Sequence, residues 1–285
     1  VYNAQNKPSV QGGQLYLQGG IISENIALNS SGGVYSSLTG YGGGIFNSGE
    51  VHMSGGEIVN NEALMGGAGV HNAYRFTMTE GTIDSNRLTP TEQSGTKSDL
   101  GSAICNTPWM FEMDIVPVFS ITGGYLNGDR QDTVNEDMTL EGVFEIGGDV
   151  GFGDEFAIRY SKYGSYKENA YIKVIQEFSK EFPKLTLVPD FKQAGDILVT
   201  FSEGITPETS RFKEASGRPL KITGNNIVLS DKIEEPKPTK KVIQTVELLE
   251  NSFVYDGGEK TPQVIVKDQD GKIVDSSQYE VVYEN

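Results

Sequence analysis

The densest group of side chains able to do chemistry is Asp129, Arg130, Asp132, Glu136 and Asp137. Clustered carboxylates of this kind supply oxygen ligands for Ca2+ or hydrogen-bond acceptors for a sugar. Their spacing matches neither an EF-hand loop nor a glycine-rich nonapeptide calcium repeat, and a solvated acidic loop uses the same residues. A second acidic set, Asp149, Asp154 and Glu155, sits among glycines and reads as a polar turn. Calcium is therefore the one cofactor these residues would suit, and none is required. The two histidines, His52 and His71, and the single cysteine, Cys105, do not add up to a zinc site, and no base accompanies Cys105 as a nucleophile. A sugar-cleaving lyase needs a calcium-binding carboxylate cluster with a Lys or Arg base, and a hydrolase needs paired carboxylates at a fixed separation. Arg75 and Arg87 lie without such a partner column. No catalytic residue is assigned.

Aromatic side chains make a better case for binding. Tyr16, Tyr35, Tyr41, Phe46, Tyr74, Trp109 and Phe111 are spread along the first half of the chain, and flat rings suit stacking on sugars or on a protein surface. For Trp109 and Phe111, filling space beneath loops is the competing role. The candidate ligand-contacting set is Tyr16, Phe46, Tyr74, Trp109, Asp129, Arg130 and Asp132.

The elements that must position these residues repeat. Gln14 to Ile22, Glu50 to Ile58, Arg75 to Ile83 and Val118 to Leu126 align without gaps. They share apolar-x-apolar, then Gly or Glu, Gly, any residue, and Ile or Leu. Three residues further on come Asn25, Asn61, Asn86 and Asp129. A shorter motif lies between them: Gly44-Ile45-Phe46-Asn47, Gly69-Val70-His71-Asn72 and Ala103-Ile104-Cys105-Asn106. Period-two alternation marks strands, and the Gly content disfavours helix. Such short strands are stable only if they stack on their equivalents ~4.8 Å away in neighbouring coils. Asn25, Asn47, Asn61, Asn72, Asn86, Asn106 and Asp129 are then expected at turns, bonding from coil to coil. Alternation points His52 outward with Tyr16, Thr77 and Ser120, and His71 outward with Phe46 and Cys105.

From Glu145 the motif fades. Residues 170–178, 184–188 and 196–201 alternate as ordinary strands, and residues 220–229 read as a hairpin turning at Gly224-Asn225-Asn226. Residues 145–231 are expected to hold the last coils and a cap over the open end. Residues 232–241, with two prolines and many charges, form a linker. Strand candidates at 243–248, 263–267 and 279–283 follow, with a turn at Asp268-Gln269-Asp270-Gly271. Residues 242–285 are too few for a sandwich of roughly 100 residues.

The chain has 285 residues, 35 of them Gly, and a formal net charge of −16. That charge disfavours nucleic acid and anionic membranes as partners. One cysteine rules out an internal disulfide and leaves the compartment open. No apolar run approaches the ~20 residues that span a bilayer, so no membrane insertion is expected. Val1 opens onto polar sequence without a signal-peptide pattern, which puts any export signal outside these residues.

Residues 12–129, through the Gly-Gly-x-Ile-x-x-Asn and Gly-Ile-x-Asn motifs, resemble the right-handed parallel, pectate-lyase-like β-helices of surface proteins from Gram-positive bacteria. Ile146-Gly147-Gly148-Asp149-Val150, Thr186-Leu187-Val188-Pro189 and Gly195 to Val199 resemble the terminal region of the same proteins. Tyr255-Asp256-Gly257, Pro262-Gln263-Val264 and Tyr279 to Asn285 are similar to bacterial Ig-like repeats, although Gln278 stands where those carry Asp. The resemblance implies an all-β chain with a β-helix at 1–231, a linker, and an incomplete Ig-like domain at 242–285. It also implies an extracellular, cell wall-associated adhesin or binding and spacer module that meets a glycan or a surface protein. The alternative it leaves open is a carbohydrate-active β-helix enzyme, a polysaccharide lyase or glycoside hydrolase.

Overall fold

The computed structural model describes residues 1–3, 13–28, 40–89, 101–108, 115–128, 137–161, 170–231, 243–250, 252–254, 256–258, 260–276 and 279–282. Two compact units result, Val1–Lys232 and Ile233–Asn285. The described residues are all-β, with no α-helix, as suits segments rich in Gly and β-branched residues.

In the first unit the chain passes repeatedly through the same sheets. One sheet holds, in chain order, Tyr2–Asn3, Ile45–Asn47, Val70–Asn72, Ile104–Asn106, Met138–Leu140, Ala157–Tyr160, Leu185–Val188 and Phe212–Glu214. A second holds Gln14–Ser23, Glu50–Val59, Arg75–Asp84, Val118–Leu126, Val143–Phe152, Tyr171–Phe178 and Ile197–Phe201. A third joins Ile26–Ala27, Glu62–Ala63 and Arg87–Leu88. All of these neighbours pair in parallel. Parallel strands cannot be joined by a tight hairpin, so each strand pairs with the one a full pass earlier.

Register partners share a face, and the inward face is apolar. Leu17, Met53, Met78, Ile121, Ile146, Val174 and Phe201 follow one another across the second sheet. Leu15, Val51, Phe76, Phe119, Phe144, Ile172 and Val199 do the same one step away. From Val51 and Met53 onward, none of these is more than 3% exposed. Each such burial contributes about 1.5–3 kcal/mol, and together they form one continuous core.

Bends within the long strands of the second sheet depend on particular backbones. Gly20, Gly56, Gly81 and Gly124 take φ of 84°, 84°, 104° and 97°, which side chains resist. A Cβ on Gly81 would lie 2.6 Å from the Gly56 carbonyl oxygen, and one on Gly124 would lie 2.6 Å from that of Gly81. These glycines therefore stack as closely as backbones can.

Beside the turns run two asparagine ladders. Asn3 Nδ2 donates to Asn47 Oδ1 at 2.8 Å, Asn47 to Asn72 at 2.8 Å, and Asn72 to Asn106 at 2.7 Å. In the second ladder Asn25 donates to Asn61 at 2.8 Å and Asn61 to Asn86 at 3.0 Å. The same amides also reach backbone carbonyls, among them those of Glu50, Arg75, Val118 and Ile58. Asn47, Asn61, Asn72, Asn86 and Asn106 are fully buried, and Asn25 is exposed at the ladder's end. Asp129 lies outside the described residues. Asn3 joins the first ladder although the sequence motif did not single it out; Val1-Tyr2-Asn3 parallels Ile45-Phe46-Asn47 in residue type.

At the far end, Asn226–Leu229 and Leu220–Thr223 form a hairpin that pairs antiparallel with Ile197–Phe201, ending the parallel sheet there. In the second unit, Ile243–Leu248 pairs antiparallel with Val264–Asp268. The strand expected at 279–283 is not formed over 279–282; instead the Tyr279 hydroxyl donates to the Val264 carbonyl at 3.1 Å. Every residue of Ile243–Leu248 is exposed, so among the described residues no layer faces that strand, and an isolated two-stranded pair is only marginally stable.

Candidate functional site

The expected ligand-contacting residues do not share one surface. Tyr16 stands on the outer face of the second sheet, 60% exposed, and stacks on His52 with centroids 5.0 Å apart. Phe46 belongs to the first sheet and is buried, stacked between Tyr2 at 5.2 Å and His71 at 4.8 Å. Tyr74 is half-buried at the entry to Arg75–Asp84, where its carbonyl accepts from Val118 N. Trp109, Phe111, Tyr35, Asp129, Arg130, Asp132 and Glu136 lie outside the described residues.

The exposure expected of His71 and Cys105 needs correction. Both occupy the column of Phe46, as the alternation implied, yet both are buried. Tyr41 packs over His71 with centroids 5.0 Å apart, so this outer face is covered. Burial pushes the His71 imidazole down to about 3 and the Cys105 thiol up to about 12. The imidazole is therefore neutral near neutral pH, and the thiol stays protonated and is not poised for nucleophilic attack. No group of three potential metal-ligating side chains occurs among the described residues.

The acidic and basic candidates are engaged in structure. Asp137 is buried rather than part of a solvated loop, and its Oδ2 accepts the Ala157 amide at 2.7 Å. Asp149 pairs with Lys180 at 3.0 Å, and that ammonium holds its carboxyl below the usual range. Arg87 bonds Glu62 across the third sheet, while Arg75 belongs to the second. The two arginines therefore do not line one groove.

A different site emerges at the end of the Tyr16 column. Outward from the second sheet run Tyr16, His52, Thr77, Ser120, Glu145, Lys173 and Thr200. Glu145 and Lys173 approach to 3.5 Å. At Thr200 the column enters a groove of about 680 Å³ lined by Tyr171, Phe191, Lys192, Gln193, Gly195, Asp196, Ile197 and Thr200. Tyr171 comes from one strand, Ile197 and Thr200 from its neighbour, and the rest from the segment between Leu185–Val188 and Ile197–Phe201.

That segment is held firmly. Lys192 N bonds the Pro189 carbonyl at 3.1 Å, Gly195 N the Leu229 carbonyl at 2.8 Å, and Gln193 N the Asp196 Oδ2 at 2.8 Å. Arg218 donates to the carbonyls of Lys192 and Pro189, both at 3.3 Å, and pairs with Glu214 at 3.1 Å. Burial raises the Glu214 carboxyl, but bonds from Arg218 and Ser216 outweigh it and hold it below the usual range. The Lys192 ammonium lies 5.8 Å from the Tyr160 ring and 5.7 Å from the Phe191 ring, a cation–π arrangement.

Aromatic walls with a few convergent amide, hydroxyl and carboxylate groups make a surface for a polyhydroxylated ligand. Among the described residues the lining has one carboxylate, Asp196. Apart from Tyr171, the lining falls within residues 191–200; the sequence concealed the groove because nothing in that stretch marks which neighbouring strand it folds against.

Compared with known proteins, the chain matches no family model, no curated protein and no solved structure.

Proposed function

We propose that residues 1–231 form a right-handed parallel β-helix capped within 145–231, joined by the linker 232–241 to an incomplete Ig-like domain at 242–285. We propose further that it serves as a non-catalytic adhesin or binding and spacer module, outside the cell and associated with the wall. The β-helix reading is supported by the unbroken parallel register of equivalent residues from Leu17 to Phe201. A stacked core of this kind is stiff and suits display at a distance.

The observation that carries the binding role is the groove at Thr200, with two aromatic walls and, among the described residues, a single carboxylate. In this reading a glycan chain stacks on Tyr171 and Phe191 and hydrogen-bonds to Gln193, Asp196 and Thr200. A surface protein is the other partner class such a flank would meet. No cofactor is needed. Among the described residues no helix is long and apolar enough to cross a membrane.

Glycan-array binding followed by calorimetry tests this. The expected result is binding without turnover, unchanged by EDTA and at least about tenfold weaker in Phe191→Ala, the effect of ~1.4 kcal/mol. Release of reducing ends or unsaturated uronates, abolished in Asp196→Asn, would establish the carbohydrate-active enzyme instead. Loss of binding in EDTA would give calcium a role. Absence of any ligand would leave a spacer.

A further inference from the structure

The two ends of the first unit are built differently. At the C-terminal end, an antiparallel hairpin covers the edge strand Ile197–Phe201. At the N-terminal end, Tyr2–Asn3, Gln14–Ser23 and Ile26–Ala27 are the outermost strands of all three parallel sheets. Sheet edges left this way are templates for another strand.

The side chains follow the same asymmetry. Among the described residues of Val1–Lys232, the exposed large apolar side chains are Val1, Tyr2, Tyr16, Ile21, Ile26 and Leu28, with only Ile197 and Ile222 elsewhere. Leu15, Leu17 and Ile22 continue the core columns but are only partly buried, whereas their partners Val51, Met53 and Ile58 are at most 1% exposed. Among the described residues the core is open at this end, and its open positions are those another pass would fill.

We propose that this N-terminal face seats one further parallel pass, contributed by polypeptide on the N-terminal side of Val1. Its chemistry is defined by the surface it meets: apolar side chains over Leu15, Leu17 and Ile22, and an Asn over each of Asn3 and Asn25. The ladder polarity selects this occupant over a second copy of the chain. Each Asn donates Nδ2 toward the C-terminal neighbour and accepts on Oδ1 from the N-terminal one. An incoming parallel pass would present Nδ2 to Asn3 and Asn25. Two copies meeting head to head would instead bring Oδ1 against Oδ1, and would set their strands antiparallel. Head-to-tail stacking is blocked on the second sheet by the hairpin. This inference rests on register and ladder geometry, and it stands or falls independently of any ligand in the groove.

The test adds the missing pass. Val1 is the register equivalent of Ile45 and Ile45 of Val70, so a copy of residues 45–69 fused ahead of Val1 restores the spacing of a pass. Amide hydrogen exchange in residues 13–23 is expected to slow about tenfold or more relative to the parent chain, with residues 143–152 unchanged. Asn47→Ala within the added copy is expected to remove most of that protection. Should the fusion fail to fold, the parent chain is measured with a saturating synthetic peptide of residues 45–69, for which slowing of about threefold is expected. No slowing in either format overturns the proposal. So does a discrete dimer of the parent chain in sedimentation velocity that itself protects residues 13–23, since the occupant would then be a second copy.

Discussion

The early and late passes of the first unit solve one packing problem with different chemistry. Between Tyr2 and Asn106, the inner corner of the first sheet is held by Asn3, Asn47, Asn72 and Asn106, joined amide to amide. Across the next two register steps the same column becomes Leu140 and then Tyr160. From Phe76 onward, rings take over: Phe76 on Phe119 at 4.7 Å, Phe119 on Phe144 at 6.0 Å, Phe144 on Phe152 at 6.4 Å and Phe152 on Phe182 at 5.1 Å. A ladder binds each pass to the next with directional bonds, so it demands near-identical geometry each time. Rings fill volume without directional bonds that fix their orientation from pass to pass. The third sheet, present over the laddered passes, has no described strand after Arg87–Leu88.

That contrast can be broken most sharply on its aromatic side. Phe119→Ala removes the ring that joins the two regimes and leaves a cavity that rigid sheets cannot close. The expected loss is about 3–5 kcal/mol, measured by urea unfolding; a loss below about 1 kcal/mol would show that the stack is incidental. On the laddered side, Asn72→Leu imitates the later passes. It strips a donor from Asn106 Oδ1 and from the Val118 carbonyl, and an acceptor from Asn47 Nδ2. A loss of about 2–3 kcal/mol is expected. Near-neutral behaviour would mean that the two chemistries are interchangeable.

A smaller effect separates the regions by pH. The His71 imidazole titrates near 6.5 when unfolded and is pushed down to about 3 by burial in the fold. Between those values the unfolded chain holds the extra proton. The stability tied to neutral His71 is therefore complete above about pH 6.5 and is lost as pH falls toward 3. Between about pH 7.5 and about pH 5, the native chain should lose about 2 kcal/mol more than His71→Phe. Equal losses in the two proteins would show that His71 is accessible to protons in the folded state. The smallest shift concerns the turns ahead of the second ladder, where Glu24, Asn60 and Ser85 take φ of 56°, 54° and 52°. Ser85→Gly relieves that conformation and should be neutral to stabilising by about 0.5–1 kcal/mol, seen as a higher Tm. A lower Tm would locate the benefit of Ser85 in its side chain.

The laddered passes were legible in sequence because their geometry is demanding. A turn that only Gly can make and a buried amide that only Asn can satisfy leave the same letters at each pass. The later passes leave no such trace. Ala157–Tyr160 and Phe212–Glu214 contain neither Gly nor Asn, and any apolar residue of suitable size serves their columns. Alternation assigned His71, Phe46 and Cys105 to one face correctly but could not say that Tyr41 and its neighbourhood cover that face. The ligand-contacting set was scattered for the same reason: Tyr16 and Phe46 belong to different motifs and different sheets, and only the fold leaves the first exposed and covers the second.

Local chemistry was sufficient for the strands, the glycine turns and the amide ladders, since each depends on residues within one pass and its identical neighbours. The groove was decided only in three dimensions. Tyr171, the segment Phe191 to Asp196 and Thr200 meet because parallel register places one strand beside the next and because Arg218, anchored by Glu214, pins the intervening segment. Burial of His71 and Asp137 was settled the same way, by what folds over them. Period and spacing give a side chain its direction, whereas exposure and chemical environment depend on which distant segment arrives opposite.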